Sequence, residues 1–169
     1  MSAIDTHPLI TVCGATGAQG SSVAQYLLRD GGYRVRVFTR NVDSEKSQAL
    51  KQQGAEVFSC DLGEIDQVTA ALEGAYAVFG LINFWEHGEE IEVRQGRNLA
   101  DVAKTDCPQI DDIGAPHQWA SKVRVEKYLH ETGVPTTTLL TSFYFQNLFT
   151  SFPVKKASDD SLILDWFAL

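Results

Sequence analysis

The feature that most constrains this chain is a glycine-rich turn, Gly14–Gly20, which reads GATGAQG in one-letter code. It follows the apolar run Leu9–Cys13 and precedes the amphipathic stretch Ser21–Arg29. A buried strand, a turn with three glycines and a helix start, in this order, are the parts of a dinucleotide phosphate site. Glycine turns also join strands to helices in α/β proteins that bind nothing there, so the turn alone is a weak signal.

The three glycines have separate expected roles in this turn. Gly14 can adopt the tight turn after the strand, Gly17 lets the backbone approach a pyrophosphate, and Gly20 lets the helix pack closely against the strand. The helix N-terminus then directs N–H groups and its dipole at the phosphates. The G-x-x-G-x-x-G spacing is typical of extended and atypical short-chain dehydrogenases/reductases. We therefore expect cofactor contacts from Gly14, Thr16, Gly17, Ala18, Gln19 and Gly20.

Composition indicates one soluble globular domain over residues 1–169. The chain is long enough for a substantial core, and 44% of its residues are hydrophobic. The net charge of −8 argues against direct binding of nucleic acid or an anionic membrane through bulk electrostatics. A local basic pocket for a phosphate is compatible with that charge.

The cysteines and the N-terminus indicate the compartment. Cys13, Cys60 and Cys107 are a sparse, odd set, which favours free thiols in a reducing environment. The segment Met1–Pro8 has no targeting pattern, and no apolar run approaches the length of a membrane span. We expect a cytoplasmic protein, with the nucleus as a second location, and no metal site.

Strand and helix patterns alternate through the first hundred residues. Strands are predicted at Leu9–Cys13, Tyr33–Phe38, Glu56–Ser59 and Ala75–Ile82. Helices are predicted at Gln19–Arg29, from the caps at Asn41–Ser44 to Gln53, at Ile65–Leu72 and at Glu89–Lys104. This alternation predicts an α/β fold with a doubly wound parallel sheet, Rossmann-like, with helices on both faces.

The alternation breaks after Lys104. A fifth apolar strand is expected there, but Thr105–Asp112 is polar and contains a proline. The strand and its following loop are therefore predicted to be missing between about residues 105 and 115, which would leave a gap in the sheet. Beyond it we predict a helix at Pro116–Glu131, strands at Thr136–Thr141 and Ser161–Phe167, and a helical turn at Phe143–Phe149.

Arg40 follows the second strand, 26 residues after Gly14. Sites that prefer NAD usually have Asp or Glu near this position, which accepts hydrogen bonds from the adenosine ribose. A guanidinium there suits a 2′-phosphate, because it is always charged and binds bidentately. Arg40 therefore favours NADP(H) over NAD(H), the alternative being a solvated surface arginine.

Two further groups follow strands at the edge where ligands bind. Asp61 comes after the third strand and either accepts from the adenine amino group or caps the next helix. Asn83, Phe84 and Trp85 follow the fourth strand and either line the cofactor cleft or pack in the core.

Lys122 lies on the helix after the break. Short-chain dehydrogenases place a general-acid tyrosine four residues before this lysine, but here that residue is Gln118. An amide cannot donate and recover a proton as a phenol does, so the hydride-transfer machinery is incomplete. His117 and Tyr144 are candidate substitutes, the alternative for each being a structural role. Lys122 is a candidate to bind the nicotinamide ribose, or to act as the catalytic acid if burial lowers its pKa.

Together these segments resemble the NmrA-like family, and are closest to its NADPH-sensing members. The matching motifs are Gly14–Gly20, Val37–Asn41, Gly54–Val57, Asn83–Glu86, Lys122 with Val125–Tyr128, and Tyr144–Asn147. The resemblance covers nearly the whole chain and is far more specific than the glycine turn.

The resemblance implies an atypical Rossmann domain that binds NADP(H) and acts as a redox sensor or transcriptional co-regulator. It implies a phosphate turn at Gly14–Gly20, a 2′-phosphate contact at Arg40, and Asn83–Trp85 beside the cofactor. It also implies that Lys122, Tyr144, Phe145, Gln146 and Asn147 face the nicotinamide end. A regulatory protein partner is implied, and a homodimer is left open.

The sequence departs from this family in two places. About two dozen residues, the fifth strand and its loop, are absent near residue 105, either through an internal deletion or because a loop is omitted. The family's C-terminal subdomain is also expected to be truncated after Leu169, which weakens a catalytic assignment. Two further hypotheses therefore stay open: an NADPH-dependent reductase of the isoflavone or quinone reductase type using Lys122, and a truncated product that binds nothing well.

Overall fold

The computed structural model describes residues 7–82, 84–106, 120–139, 154–156, 159 and 162–164. The chain divides into two compact units, Met1–Thr138 and Leu139–Leu169. In the second unit, β5 (Val154–Lys156) pairs antiparallel with β6 (Leu162–Leu164).

The first unit is built on a four-stranded parallel sheet. Its strands are β1 (Leu9–Val12), β2 (Arg34–Thr39), β3 (Glu56–Ser59) and β4 (Ala77–Phe79), in the order β3-β2-β1-β4. Val12 is paired in register with Val37 on one side and with Phe79 on the other. The predicted parallel α/β sheet is therefore confirmed.

Five helices accompany the described sheet: α1 (Ala18–Asp30), α2 (Glu45–Gln52), α3 (Ile65–Leu72), α4 (Phe84–Asp106) and α5 (Ala120–Thr132). Local chemistry fixes several of their ends. The Ser44 side chain accepts a hydrogen bond from the Ser47 N–H at the start of α2. Gly31 ends α1 with φ at 74°, a left-handed conformation that costs glycine little.

Buried side chains form two apolar clusters, one on each face of the sheet. Val35 and Val37 of β2 pack with Ala24 of α1 and Leu50 of α2. Phe38, the next residue of β2, belongs to the second cluster. The remaining members of that cluster come from α3, α4 and the loops that follow β1, β3 and α3: Cys13, Cys60, Val68, Ala71, Leu72, Ala75, Leu99, Val102 and Ala103. Because neighbouring residues of a strand point to opposite faces, β2 contributes to both clusters, as a doubly wound sheet requires.

Some element bounds differ from those predicted. Helix α4 begins at Phe84, five residues before the predicted start, and β4 is limited to Ala77–Phe79. Residues 136–139 are described but are not a strand, so that part of the predicted strand is wrong. Instead, Thr136 Oγ1 donates to the Val134 carbonyl and Thr138 Oγ1 donates to Glu126. Strand propensity reflects packing on a paired sheet, which these threonines lack.

The missing strand was predicted between about residues 105 and 115, and residues 107–119 are not among the described residues. The gap that its absence would leave beside the four described parallel strands therefore stays a prediction. Beyond it, β6 falls within the predicted strand Ser161–Phe167, whereas its partner β5 was not predicted. No helix in the described ranges is both long enough and apolar enough to cross a bilayer.

Candidate functional site

The candidate site lies at the carboxyl edge of the sheet. Because all four strands are parallel, the loops that follow them emerge at the same edge. The chain passes from β1 outward to β2 and β3, then returns to β4 on the other side of β1. The gap between the loops after β1 and β4 is therefore the topological switch point, where sheets of this kind bind ligands.

The glycine turn contacts the loop after β4 at this switch point. Gly14 has φ at 64°, a conformation in which other residues are strained. A Cβ added to Gly14 would lie 3.1 Å from Cδ2 of Leu81. The Gly17 N–H donates to the Gly14 carbonyl at 2.9 Å, which closes the turn. The predicted role of Gly14 in a tight turn therefore matches its geometry.

The turn leads directly into helix α1. A Cβ on Gly20 would lie 2.3 Å from the Gly14 carbonyl oxygen, so only glycine allows this close approach. Gly17 is the N-cap residue, no side chain caps the helix, and its first turn contains no acid. First-turn N–H groups have no partner within a helix, so these are placed to bind an anion. Thr16, Ala18 and Gln19 occupy the same turn and helix start, and the whole arrangement fits a dinucleotide pyrophosphate.

A lysine that was not predicted lies beside this turn. Lys46 Nζ, on α2, donates to the Thr16 carbonyl at 3.0 Å. The two residues belong to the lining of a cavity of about 230 Å³ between the turn, α1 and α2. Exposed lysines on helices are common, so nothing in the local sequence distinguishes Lys46 from other surface lysines. The contact adds a cation to the edge of the candidate phosphate site.

Arg40 and Asp61 follow β2 and β3 at the same edge. Arg40 is exposed and comes directly after Thr39, the last residue of β2. One oxygen of the Asp61 carboxylate accepts from the Gly63 N–H at 2.8 Å, and α3 has Glu64 as its N-cap residue. The Asp61 carboxylate therefore stabilises a local turn and does not cap α3. The adenine contact predicted for Asp61 stays a prediction.

Several predicted cofactor residues fall outside the described part of the chain: Asn83, Tyr144, Phe145, Gln146 and Asn147. The same holds for Gln118 and His117. Phe84 and Trp85 lie in the first turn of α4, but their side chains are not among those that the structure describes. That Asn83, Phe84 and Trp85 line the cofactor cleft therefore stays a prediction.

Lys122 lies on α5 and reaches the end of β4. Its Nζ donates to the Ile82 carbonyl at 2.7 Å and forms an ion pair with the carboxylate of Glu92 on α4. The Lys122 side chain is 44% exposed, whereas that of Glu92 is 1% exposed. An acid role for Lys122 was predicted only if the side chain is buried, and it is not. Its two contacts hold the ammonium beside the switch point.

Glu92 is the second residue that the sequence did not single out. It lies in a helix rich in charged residues, and nothing in its local pattern distinguishes a buried acid from a solvated one. Its proximity to Lys122 arises only through tertiary packing of α4 and α5.

The buried thiols do not form a reactive centre. Burial raises the pKa of Cys13 to about 12 and that of Cys60 to about 11, so both are protonated at neutral pH. Within the described ranges, no group of three or more His, Cys, Asp or Glu residues is arranged to hold a metal ion.

Curated relatives share the family but extend well beyond this chain. An NmrA-like family domain-containing oxidoreductase of Aspergillus japonicus is 42% identical over 91 residues, which cover 54% of this chain and 28% of the relative. An NmrA-like family domain-containing protein of Dictyostelium discoideum is 29% identical over 178 residues, covering 93% of this chain and 59% of the relative. The chain therefore spans less than two thirds of the length of either relative.

Solved structures support the same fold. The negative transcriptional regulator NmrA in complex with NADP superposes with a TM-score of 0.63 at 24% identity, covering 79% of this chain and 44% of that one. The NADPH-dependent quinone oxidoreductase of Escherichia coli, complexed with NADPH, gives a TM-score of 0.59 at 28% identity, with 74% and 46% covered. Residues 6–107 match the sequence pattern of the NmrA-like family. With the fold, the glycine turn and these relatives in agreement, the chain belongs to the NmrA-like family.

Proposed function

We propose that this chain binds NADP(H) at the carboxyl edge of its sheet and acts as an NADP(H)-responsive regulator. The observation that supports this most directly is the close approach of Gly20 to the Gly14 carbonyl, which sets the uncapped N-terminus of α1 against the turn. A pyrophosphate bound there accepts from first-turn N–H groups and interacts favourably with the helix dipole.

The preference for a 2′-phosphate is proposed to come from two cations. Arg40 follows β2, the strand beside which the adenosine ribose binds in this fold, and Lys46 contacts the glycine turn. Neither the first turn of α1 nor the position of Arg40 provides a carboxylate that would repel the phosphate. The Escherichia coli quinone oxidoreductase, which is 28% identical, was crystallised with NADPH, and this supports the same cofactor here.

A regulatory role is favoured over ordinary hydride transfer because the expected tyrosine is Gln118. An amide side chain cannot serve as a recyclable acid. In this proposal, the fraction of the protein that has NADP(H) bound follows the cellular level of the cofactor. The bound and free forms then differ in their affinity for a regulatory protein partner. The NADP complex of the transcriptional regulator NmrA shares the fold of this chain.

The test is calorimetric titration of the chain with NADPH, NADP⁺ and NADH, after its intact mass has been checked. We expect Arg40→Ala to weaken NADPH binding by about tenfold or more and to leave NADH binding nearly unchanged. Arg29→Ala is the matched control, because Arg29 is an exposed arginine in the last turn of α1, at the end opposite the turn. Wild-type protein of the correct mass that binds none of the three nucleotides would refute the proposal.

A second candidate function is NADPH-dependent reduction of a quinone or enone. Two observations favour it: curated relatives are named oxidoreductases, and the Escherichia coli neighbour is a quinone oxidoreductase. In this case Lys122 is the candidate proton donor, acting as a half-exposed ammonium and not as a buried acid. NADPH oxidation that requires an added quinone or enone and is lost in Lys122→Ala would support it, whereas no turnover across such a panel would leave the regulator as the supported function.

A further inference from the structure

The ion pair between Glu92 and Lys122 joins the two helices beside the candidate site. Glu92 belongs to α4 and Lys122 to α5, thirty residues apart in sequence. The Lys122 ammonium also donates to the Ile82 carbonyl, three residues beyond the end of β4. An ammonium has three N–H donors, and these two contacts occupy two of them. The remaining donor can serve a ligand at the switch point.

The burial of Glu92 explains why the lysine is held there. With 1% of its side chain exposed, an ionised carboxylate loses nearly all of its hydration and needs a compensating cation and hydrogen bonds. Lys122 provides that charge, and its own side chain keeps 44% exposure on the outer side. Glu92 is therefore fixed inside the protein, and Lys122 extends from it toward solvent.

Close packing of the two helices supports this arrangement. A Cβ on Gly96 would lie 2.5 Å from Cγ2 and 2.6 Å from Cγ1 of Val125. Gly96 is one helical turn after Glu92, and Val125 is three residues after Lys122. The glycine therefore allows α4 and α5 to approach where the carboxylate and the ammonium must meet.

We infer that Glu92 is a positioning residue that fixes the Lys122 ammonium at the carboxyl end of β4, so that its remaining N–H binds the nicotinamide-side ribose. This inference rests on the proposed NADP(H) function, but it concerns only the nicotinamide half of the cofactor. The adenosine half, with its 2′-phosphate, is bound by the glycine turn, Arg40 and Lys46. The two halves can therefore be probed separately.

The experiment compares the Kd of NADPH with that of 2′,5′-ADP, which carries the 2′-phosphate but no nicotinamide ribose. The variants are Glu92→Gln, Lys122→Met and the double variant, because Gln keeps the shape of Glu and removes its charge. We expect each of the three to weaken NADPH binding by about tenfold and to leave 2′,5′-ADP binding unchanged. The double variant is expected to be no weaker than Lys122→Met alone, since Glu92 acts through the lysine.

Three results would overturn the inference: Glu92→Gln binding NADPH like the wild type, Glu92→Gln losing both ligands equally, or the losses multiplying in the double variant. Wild-type protein that binds neither ligand would instead refute the NADP(H) site itself. If Glu92→Gln does not fold, Glu92→Asp replaces it, because Asp retains the charge with one methylene less reach. We then expect weaker NADPH binding with unchanged 2′,5′-ADP binding, and wild-type NADPH affinity in a folded Glu92→Asp would contradict the role.

Discussion

Gly20 approaches Gly14 so closely that a Cβ on Gly20 would lie 2.3 Å from the Gly14 carbonyl oxygen and 2.5 Å from its carbonyl carbon. Both neighbours are backbone atoms, so the overlap cannot be relieved by a rotamer change. Gly20→Ala must therefore displace the turn. We expect it to destabilise the fold by about 1–3 kcal/mol and to weaken NADPH binding by more than about tenfold, because the N–H groups are misplaced.

Gly32→Ala is the control for this substitution. A Cβ at Gly32 would meet only the flexible end of the Asp30 side chain, at 3.0 Å, away from the turn. Urea denaturation and calorimetry of both variants check the prediction. Equal stability and equal NADPH affinity in the two variants would show that the observed approach of helix and turn is not required.

Lys46 gives a second prediction about the phosphate end of the site. Lys46→Met keeps much of the aliphatic stem and removes the ammonium that contacts the Thr16 carbonyl. We expect NADPH affinity to fall by about three- to tenfold, and the loss to shrink at high salt because an exposed charge is screened. NADH affinity should change little, since NADH lacks the 2′-phosphate. The measurement is the Kd of each nucleotide at two salt concentrations.

Lys51→Met is the matched control, because Lys51 lies in the last turn of the same helix. It removes the same charge from the protein at the end of α2 away from the turn. An equal loss of NADPH affinity in both variants would mean that net charge, and not the position of Lys46, determines the effect.

Much of the fold follows from local sequence patterns. Strand β3 and helix α3 have the predicted bounds, and glycines with φ of 103° and 70° lie just before β3 and just after α3, at Gly54 and Gly74. Such glycines end elements sharply because other residues rarely adopt these angles. The phosphate turn could also be predicted from a local pattern, because its residues are contiguous in the sequence.

The rest of the candidate site depends on contacts between distant segments. Lys46 and Thr16 are thirty residues apart, as are Glu92 and Lys122. Hydrophobic periodicity reports which face of a helix is buried, but not which charged side chain meets a partner on another element. For this reason Lys122 was predicted from a family motif, whereas its buried partner Glu92 was not predicted.

The contact between Gly96 and Val125 gives a third prediction. At an unhindered helical position, Gly→Ala stabilises by about 1 kcal/mol through helix propensity. At Gly96 the new methyl would overlap the Val125 methyls, at 2.5 and 2.6 Å, so we expect a loss of about 1–3 kcal/mol instead. Denaturant unfolding of Gly96→Ala, of Val125→Ala and of the double variant measures the coupling.

The double variant should be more stable than Gly96→Ala, because Val125→Ala removes the two atoms that meet the new methyl. Strictly additive losses would contradict the close packing of α4 on α5. NADPH affinity should recover in parallel with stability if the helices position Lys122.

Cys13 and Cys60 belong to the same apolar cluster and affect how the chain responds to pH. Burial raises the pKa of Cys13 from 9.0 to about 12. A backbone hydrogen bond from Leu81 opposes this rise, and the nearby Cys60 adds to it. The folded chain therefore retains the thiol proton at pH values where the unfolded chain releases it. The two thiols are accordingly poor candidates for redox sensing.

This difference sets the sign of the alkaline stability change. Above pH 9 the unfolded state binds fewer protons than the folded state, so the free energy of unfolding falls as pH rises toward about 12. A single buried thiol contributes a slope of at most about 1.4 kcal/mol per pH unit. Cys13→Ala removes that contribution, and we expect its stability to decline less steeply than that of the wild type in urea unfolding at pH 8, 9 and 10. Since the two proteins differ only at this residue, equal slopes would show that the Cys13 thiol ionises as readily in the folded chain as in the unfolded one.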